Sequence, residues 1–593
     1  MKNNITEKRK SEFLPHLIIV GAFCFLLSQT WFRWGDLIID TGHELWLPGE
    51  LLKGKVLYND LPSFYGFLPP YLIAGLYKIF GISINTLVYT GIAVTLIVSF
   101  TVYRIARLFL DQGFATLLVI NFLFILAFGN YNTVGIFNFI LPYAFAATFF
   151  MMFTALSLYF FLKFVFSGNR KNLLTWTTFL TMAFLCRPES TLVVWPAFLL
   201  SGSILAVRQP KAEPFKIFAY LLSPLLLTAL CYGLFFLVTH TFFAFREIFI
   251  GGIKVIAATP ASRLWAGIDN IPANLLQISS SFLLHIAILL GLALVCRIIY
   301  LSGDGTPATK TIIPIAAAFL FFVWLKQYSL YELQYHCVIL VLFSGLVAYF
   351  LQSLKPNTQK RSLALLTLFL TSFLITSRIF LATSHYWYGF SLLTMPLICY
   401  YIFFGDLLKT TLENRFRIPD GLLSVAIAGF LILMIIPFWE QSSYNYRYHN
   451  KLVNTSKGEL YSNNDAQTDI FCKTVDYLKK NTPKTGTLIV LPEGLAINFF
   501  TGRTNPLKCY NCLPEYVKIF GEDKIISDIK AAKIGYIVIL CRDTSLFGPT
   551  SFGVDYAKKI QKWIDNNYVP IKQFGAKPYA SKALGMLILK RKS

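Results

Sequence analysis

The sequence predicts a polytopic α-helical membrane protein with an α/β domain at its C-terminal end. Of its 593 residues, 55% are hydrophobic and only 14% are charged, whereas soluble domains are about 45–50% apolar and about 25% charged. The apolar residues also fall into stretches of the length that a helix needs to cross a hydrocarbon core of about 30 Å. A soluble enzyme with a large core is therefore excluded.

About thirteen such stretches follow one another along the first three quarters of the chain. They cover residues 14–32, 84–106, 112–129, 136–162, 172–186, 189–207, 216–239, 275–296, 311–325, 333–352, 362–380, 387–405 and 420–438. No small-residue cleavage site follows Leu27, so we interpret the first stretch as a retained helix and not as a removed signal peptide.

The positions of the basic residues predict the orientation of these helices. The formal charge is +23, from 53 Lys and Arg against 30 Asp and Glu. With the N-terminus in the cytoplasm, basic residues such as Arg104, Lys163, Lys211, Lys355 and Arg361 fall in inner loops, as the positive-inside rule requires. The charge excess then orients the helices and indicates membrane lipids, not nucleic acid, as the partner. An odd number of spans places the C-terminal domain outside.

The last part of the chain, residues 439–593, has a different pattern from the membrane domain, residues 1–438. Its hydrophobic runs at 487–491, 534–540 and 585–589 have the length of strands, and amphipathic segments at 467–480, 522–533 and 553–566 predict helices between them. This alternation predicts a small α/β domain with a mostly parallel sheet. The domain holds 23 Lys and Arg and 13 Asp and Glu, a net charge of +10.

A C-x-x-C pair, Cys509 and Cys512, lies in the C-terminal domain. A zinc site would need a second such pair, and the sequence has none. In an oxidising compartment we expect a structural disulfide between Cys509 and Cys512, with a redox role as the alternative.

Acidic residues are concentrated in the first outer loop, residues 33–83. Asp36, Asp40 and Glu44 recur at every fourth position, so a helix would present the three carboxylates on one face, with His43 beside them. The alternative is a solvated loop that caps the first span. The following segment, up to residue 72, is rich in aromatic residues, Pro and Gly, which is typical of an ordered loop at the membrane interface. The loop is therefore a candidate site.

Two arginines at predicted span ends are further candidates. Arg187 and Arg378 are placed to reach a lipid phosphate, and Glu189 to orient Arg187 or to bind sugar hydroxyls. Snorkelling to ordinary headgroups is the alternative for both arginines.

Aromatic and C-terminal residues complete the set of candidates. His385 and Tyr386 belong to an aromatic cluster that is suited to stacking on a sugar, or that is simply part of an interfacial aromatic belt. In the C-terminal domain, Glu493 and Arg503 flank a short helix that follows a strand, the usual ligand position in an open α/β sheet.

The order of these motifs resembles that of the membrane-embedded GT-C glycosyltransferases. The similarity is greatest to the bacterial relatives of the protein O-mannosyltransferases and the aminoarabinose transferase, glycosyltransferase families 39 and 83. The motifs that carry this resemblance are Asp40-Thr-Gly-His-Glu44, Tyr65-Gly-Phe-Leu-Pro-Pro70, Arg187-Pro-Glu189 and Tyr386-Trp-Tyr-Gly389.

The resemblance implies that a sugar is passed from a polyprenyl-phosphate donor to a glycan, lipid or protein acceptor at the outer face of a bacterial inner membrane. It implies Asp40, and next Glu44, as general base or metal ligand. The residues expected to contact substrate are Asp36, His43, Tyr65, Arg187, Glu189, Arg378, His385 and Tyr386. A divalent cation, Mg²⁺ or Mn²⁺, is left open because such enzymes differ in metal use and the loop has no strict D-x-D.

Two other classes of function compete with a glycosyltransferase. A transporter or flippase of a lipid-linked saccharide typically has two structural halves and ionisable groups at mid-membrane, whereas here the acidic groups cluster at one face. A non-catalytic envelope scaffold would tolerate free substitution around Asp40. The absence of a nucleotide motif is compatible with a lipid-linked donor.

Overall fold

The computed structural model describes residues 2–208, 214–303, 306–330, 333–354, 360–419, 421–579 and 583–592. Lys211 and Lys355, which are expected in inner loops, lie outside the described residues. The described chain is mainly α-helical up to residue 448 and contains six strands after it.

Twenty α-helices precede the strands. They are α1 (Lys2–Thr30), α2 (Asp40–Leu52), α3 (Leu68–Phe80), α4 (Ile84–Ala106), α5 (Gln112–Asn121), α6 (Phe145–Ser167), α7 (Arg170–Cys186), α8 (Pro188–Arg208), α9 (Pro214–Thr239), α10 (Phe242–Phe245), α11 (Gly251–Ala257), α12 (Pro260–Ala266), α13 (Ile271–Ser302), α14 (Pro307–Leu325), α15 (Leu333–His336), α16 (Val338–Ser353), α17 (Lys360–Ile375), α18 (Thr394–Ile402), α19 (Lys409–Phe416) and α20 (Leu422–Tyr448).

Short π and 3-10 segments extend several of these helices. The π segments are Phe122–Ala127, Arg246–Ile250 and Phe403–Leu408, and the 3-10 segments of this part of the chain are Thr376–Ile379 and Phe390–Leu393.

Nine helical segments within the described ranges are long and apolar enough to cross a membrane, and three shorter apolar helices accompany them. Each of the thirteen predicted stretches overlaps a helix, and 84–106 coincides with α4. The predicted polytopic α-helical membrane protein with a C-terminal sheet region is thus confirmed. The last of these helices, α20, continues ten residues beyond the predicted domain boundary at 438.

One predicted span begins at the wrong residue. The sequence predicts a helix over 136–162, but α6 starts at Phe145. The side chain of Asn138 accepts hydrogen bonds from the backbone N–H groups of Ile140 and Leu141 at 3.0 and 2.9 Å, which competes with helical pairing. Pro142 has no N–H to contribute. Residues 135–144 therefore form an irregular segment, buried inside the protein.

The C-terminal region, residues 449–592, contains two sheets. The strands are β1 (His449–Thr455), β2 (Gly458–Asn463), β3 (Leu488–Leu491), β4 (Tyr536–Leu540), β5 (Tyr568–Gly575) and β6 (Gly585–Arg591). The helices are α21 (Ala466–Asn481), α22 (Leu495–Thr501), α23 (Pro514–Phe520), α24 (Glu522–Ala531) and α25 (Lys558–Asn567), and a 3-10 turn spans Ser545–Phe547.

The prediction of a mostly parallel sheet is wrong. Strands β1 and β2 form an antiparallel hairpin, and the larger sheet has the order β3-β4-β6-β5. Only the β3–β4 pair of that sheet is parallel; β6 pairs antiparallel with both β4 and β5. The sequence pattern did not reveal β5 or the hairpin, because both carry alternating polar residues instead of a continuous apolar run. The expected disulfide is absent, since Cys509 and Cys512 are free, buried thiols.

A close backbone contact joins α2 to the C-terminal region. A Cβ atom added at Gly42 would lie 2.4 Å from the backbone nitrogen of Ala496 in α22. Only a residue without a side chain permits this approach. Apolar residues from α1 to β6 also belong to one continuous buried cluster, so the C-terminal region packs directly onto the helices.

We predict that Gly42→Ala destabilises the protein by about 1–3 kcal/mol, because the new methyl group overpacks a contact with backbone that cannot rotate away. Gly49→Ala is the matched control in the same helix, where an added Cβ meets only Ile82 at 3.9 Å. The melting temperatures of the two variants in detergent measure the difference. Equal melting temperatures would contradict a close α2–α22 contact.

Candidate active site

The first predicted acidic residue, Asp36, forms a turn before α2. Its Oδ1 accepts hydrogen bonds from the backbone N–H groups of Ile38 and Ile39, both at 2.7 Å, and its own N–H donates to Thr41 Oγ1 at 2.8 Å. Since α2 begins only at Asp40, the expectation of three carboxylates along one helical face is wrong for Asp36. Asp36 shapes the entry to the helix.

Asp40, in the first turn of α2, lines a cavity of about 160 Å³. Its Oδ2 is buried and has no hydrogen-bond partner among the described residues. Burial, together with the negative charge of nearby Glu493, raises the pKa of the Asp40 carboxyl well above its usual value. A buried carboxyl oxygen without a partner is costly, which indicates that it is kept for a ligand or a proton.

Glu44, one turn further along α2, does not line this cavity. Its Oε2 accepts a hydrogen bond at 2.9 Å from the N–H of Phe145, the first residue of α6, and its Oε1 lies 3.1 Å from His43 Nδ1. A carboxylate at this position satisfies an N–H that has no partner inside the helix. Glu44 thus caps α6.

His43 lies between the two carboxylates and connects α2 to the C-terminal region. Its Nε2 is 2.9 Å from Tyr510 Oη, and Tyr510 Oη also donates to the carbonyl of Pro62. His43 lines the Asp40 cavity as well as a small pocket that Glu44 lines.

Arg187, between α7 and α8, is fully buried. Its Nη2 donates to Tyr143 Oη at 3.5 Å, its Nε lies 3.6 Å from Glu189 Oε1, and its guanidinium lies 5.2 Å from the centre of the Tyr65 ring. Within the described part of the chain, neither Nε nor Nη1 has a hydrogen-bond partner. Tyr65 and Tyr143 both line the cavity, so Arg187 lies directly behind two of its wall residues.

Gly66 allows the first loop to lie close to the end of α7, behind Tyr65. Gly66 donates its N–H to the carbonyl of Cys186 at 2.9 Å, and a Cβ at Gly66 would overlap the backbone of Leu185. The first loop therefore docks onto the end of α7, which brings the Tyr65 ring against Arg187.

Two charged residues of the C-terminal region meet beside the cavity. Glu493 follows β3 and Arg542 follows β4, and because these strands are parallel their ends lie at the same sheet edge. Arg542 Nε donates to Glu493 Oε1 at 2.6 Å. Burial raises the pKa of the Glu493 carboxyl despite the opposing effect of Arg542. Glu493 lines the cavity.

A second C-terminal carboxyl, Glu515 in α23, also lines the cavity. It is 6% exposed, and its Oε2 has no hydrogen-bond partner within the described ranges. Burial, together with the charge of nearby Glu493, raises the pKa of Glu515 to about 7.

Arg503, the other C-terminal candidate, is a structural residue. Its guanidinium donates to the carbonyls of Leu478, Lys479, Thr482 and Thr501 and to the Thr482 hydroxyl. It thereby pairs carbonyl groups at the end of α21. All three nitrogens of its guanidinium donate hydrogen bonds, in contrast to those of Arg187.

A second cavity, of about 180 Å³, adjoins the first. Trp265, Arg378 and Tyr388 line both cavities. Tyr386 lines only the second one. His385 is 1% exposed and lies among aromatic rings, with its centroid 4.2 Å from that of Tyr131 and 4.8 Å from that of Phe438. It lines neither cavity.

The structure thus brings Asp40, His43, Tyr65 and Arg378 to one cavity, with Arg187 and Glu189 behind it. Glu515 and Arg542 were not predicted as site residues, because neither belongs to a recognisable motif. The position of Arg542 shortly after strand β4 is the one feature of the sequence that could have indicated it.

Within the described ranges, protein side chains alone do not form a metal centre at Asp40, since no three His, Cys, Asp or Glu residues come together in a way that could hold a metal ion. Mg²⁺ is often held by only one or two carboxylates together with substrate phosphates, so a divalent cation stays a prediction. We derive no step through a metal.

Comparison with known proteins yields one family match. Residues 65–238 match the family described as dolichyl-phosphate-mannose-protein mannosyltransferase. No curated protein matches the sequence significantly.

Several solved structures are similar at low identity, and two of them serve as examples. The Archaeoglobus fulgidus oligosaccharyltransferase in complex with Zn and sulfate is 12% identical, with a TM-score of 0.49, over 88% of this chain and 67% of that one. ArnT from Cupriavidus metallidurans bound to undecaprenyl phosphate is 13% identical, with a TM-score of 0.43, over 96% and 97%. These values support no statement about the site. The family match, however, confirms the predicted relationship to membrane glycosyltransferases: through residues 65–238 the chain is related to the dolichyl-phosphate-mannose-protein mannosyltransferase family.

Proposed function

We propose that the protein transfers a sugar from a polyprenyl-phosphate donor to an acceptor at the outer face of the membrane, with Asp40 as general base. The observation that carries this proposal is the buried Oδ2 of Asp40, which has no hydrogen-bond partner within the described ranges, at a cavity that Arg378 also lines. The family match supports the donor class, because a dolichyl phosphate is a polyprenyl phosphate. The predicted topology supports the outer face.

The chemistry requires two charges of opposite sign. As an acceptor oxygen bonds to the anomeric carbon, a carboxylate removes its proton, and the bond from that carbon to the phosphate oxygen breaks. The polyprenyl phosphate leaves with the electron pair, so cationic groups must stabilise the developing negative charge. Asp40 supplies the carboxylate, and we assign the phosphate to the side of the cavity that holds Arg378.

Arg187 assists from behind the wall. Its guanidinium is fully buried, and two of its nitrogens lack hydrogen-bond partners among the residues that the structure describes, which is costly to maintain. Since its contacts are Tyr143 and Tyr65, it orients these phenols and adds positive potential to the side of the cavity that receives the phosphate. Glu189 positions Arg187. The second cavity, which Tyr386 lines with other aromatic residues, is suited to the sugar or to the isoprene units next to the phosphate.

We predict that Asp40→Asn lowers the rate of sugar transfer about 100-fold to 10,000-fold, the usual contribution of a general base. Glu44→Gln is the matched control one turn further along α2, because Gln still accepts the N–H of Phe145. Initial rates in membrane vesicles from cells expressing each variant measure the effect. Full activity of the Asp40→Asn protein would refute Asp40 as the general base.

The pH profile provides an independent prediction. A general base must be ionised, so the rate falls as the pH is lowered through the pKa of Asp40, and the acidic limb lies well above the usual aspartate range near pH 4. Glu493→Gln removes a negative neighbour and moves this limb to lower pH. Rates of sugar transfer by the wild type and by Glu493→Gln, measured between pH 4 and 9, test this shift. Asp523→Asn, at an exposed position on α24, is the control. An unshifted limb in Glu493→Gln would argue against Asp40 as the base.

We predict that Arg378→Ala raises the apparent KM for the lipid donor about 10-fold to 100-fold, because a charge-assisted contact to phosphate is lost. Arg378→Lys restores part of it. Arg263→Ala, an exposed arginine on α12 that does not line the cavities, is the control. If the KM for the lipid donor is unchanged in Arg378→Ala, the phosphate does not bind at Arg378.

A further inference from the structure

The Asp40 cavity has two chemically different sides. Tyr65, Tyr143 and Arg378 line it from the helical part of the chain, whereas Glu493, Asn511 and Glu515 line it from the C-terminal region. Together with Asp40, three carboxyl groups and one arginine face the same space. The guanidinium of Arg542 is already engaged by Glu493.

Glu515 lies in the first turn of α23, where a negative charge is favourable, but this placement leaves one of its two carboxyl oxygens without a partner in the described chain. At 6% exposure its Oε2 has no hydrogen-bond partner among the described residues. Neighbouring Lys518 does not form an ion pair with it within the described part of the chain. A polar atom buried without a partner is uncommon in folded proteins and is often found where a ligand supplies the missing contact. Its position in the cavity wall identifies the space from which that ligand approaches.

We propose that Glu515, with Asn511 and Glu493, forms the acceptor-binding side of the cavity, and that it selects an uncharged hydroxyl group over a phosphate as the attacking group. This inference rests on the proposed function. A hydroxyl donates a hydrogen bond to a carboxylate and can accept one from the amide of Asn511. A phosphate acceptor would instead face Asp40, Glu493 and Glu515 in a site of low dielectric, where like charges repel strongly.

The transfer step is balanced with such an acceptor. The hydroxyl oxygen forms the new bond to the anomeric carbon, its proton passes to Asp40, and the bond between the anomeric carbon and the phosphate oxygen breaks. The polyprenyl phosphate departs with the electron pair. Glu515 holds the acceptor during this step and takes no part in the proton transfer. Burial and the charge of Glu493 raise the pKa of Glu515 to about 7, so the carboxylate form that accepts this hydrogen bond predominates above that pH.

The test compares envelope glycans of cells that lack the protein with those of cells that express the wild type, Glu515→Gln, Glu515→Asp or Glu459→Gln. Glu459 is an exposed acid on β2 and serves as the control. Mass spectrometry identifies the transferred sugar, and ³¹P NMR with mild acid hydrolysis distinguishes a glycoside of a hydroxyl from a glycosyl phosphate.

We expect a sugar linked through a hydroxyl group, its amount reduced about 10-fold or more in Glu515→Gln, partly restored in Glu515→Asp and unchanged in Glu459→Gln. The melting temperature of Glu515→Gln should equal or exceed that of the wild type, since a buried charge is removed, so a loss of transfer is not a loss of folding.

The other outcomes are separable. A sugar linked to phosphate, or undiminished transfer by Glu515→Gln, overturns this inference and leaves the proposed function standing. Glycans that do not differ between cells with and without the protein overturn the proposed function itself.

Discussion

The candidate site depends on the close contact between α2 and α22, where Gly42 meets the backbone of Ala496. Asp40 lies just before Gly42, and Glu493 lies just before α22, so this one contact brings a carboxyl of the first loop and a carboxyl of the C-terminal region to the same cavity. Adjacent residues of α2 reinforce it: His43 reaches Tyr510, and Glu44 caps α6. These contacts hold the start of α2 in place, where Asp40 lines the cavity and its Oδ2 has no hydrogen-bond partner among the described residues.

Hydrogen-bond partners distinguish the functional from the structural charges. Two buried arginines illustrate this. Arg503 donates to five acceptors at the ends of α21 and α22, whereas Arg187, behind Tyr65 and Tyr143, has two nitrogens without hydrogen-bond partners in the described part of the chain. The same distinction separates Glu44, whose oxygens are engaged, from Asp40 and Glu515. Burial of an ionisable group is common to all of them, so it is the missing partner that indicates a site.

Much of the helical part could be predicted, because a membrane-spanning helix is recognisable from the apolar residues of its own segment. The stretch 84–106 coincides with α4, and the candidate loop with Asp40 was recognised from its carboxylates. The start of α6 could not be predicted, because the side chain of Asn138 accepts hydrogen bonds from backbone N–H groups. A hydropathy pattern contains no information about such bonds. The prediction of a mostly parallel sheet was also wrong, since the antiparallel pairing between β4 and β6 depends on contacts between distant segments.

The sequence by itself determined the class of protein, most of its spans and the loop that carries Asp40. These are consequences of local properties: the length of apolar runs, the distribution of charge and the spacing of a motif. Only the tertiary structure decided that Glu44 caps a helix, that Asp36 shapes a turn, and that Glu493 and Glu515 join Asp40 in one cavity. The physical reason is that the task of a carboxylate is set by its hydrogen-bond partners, and here those partners come from segments far apart in the chain.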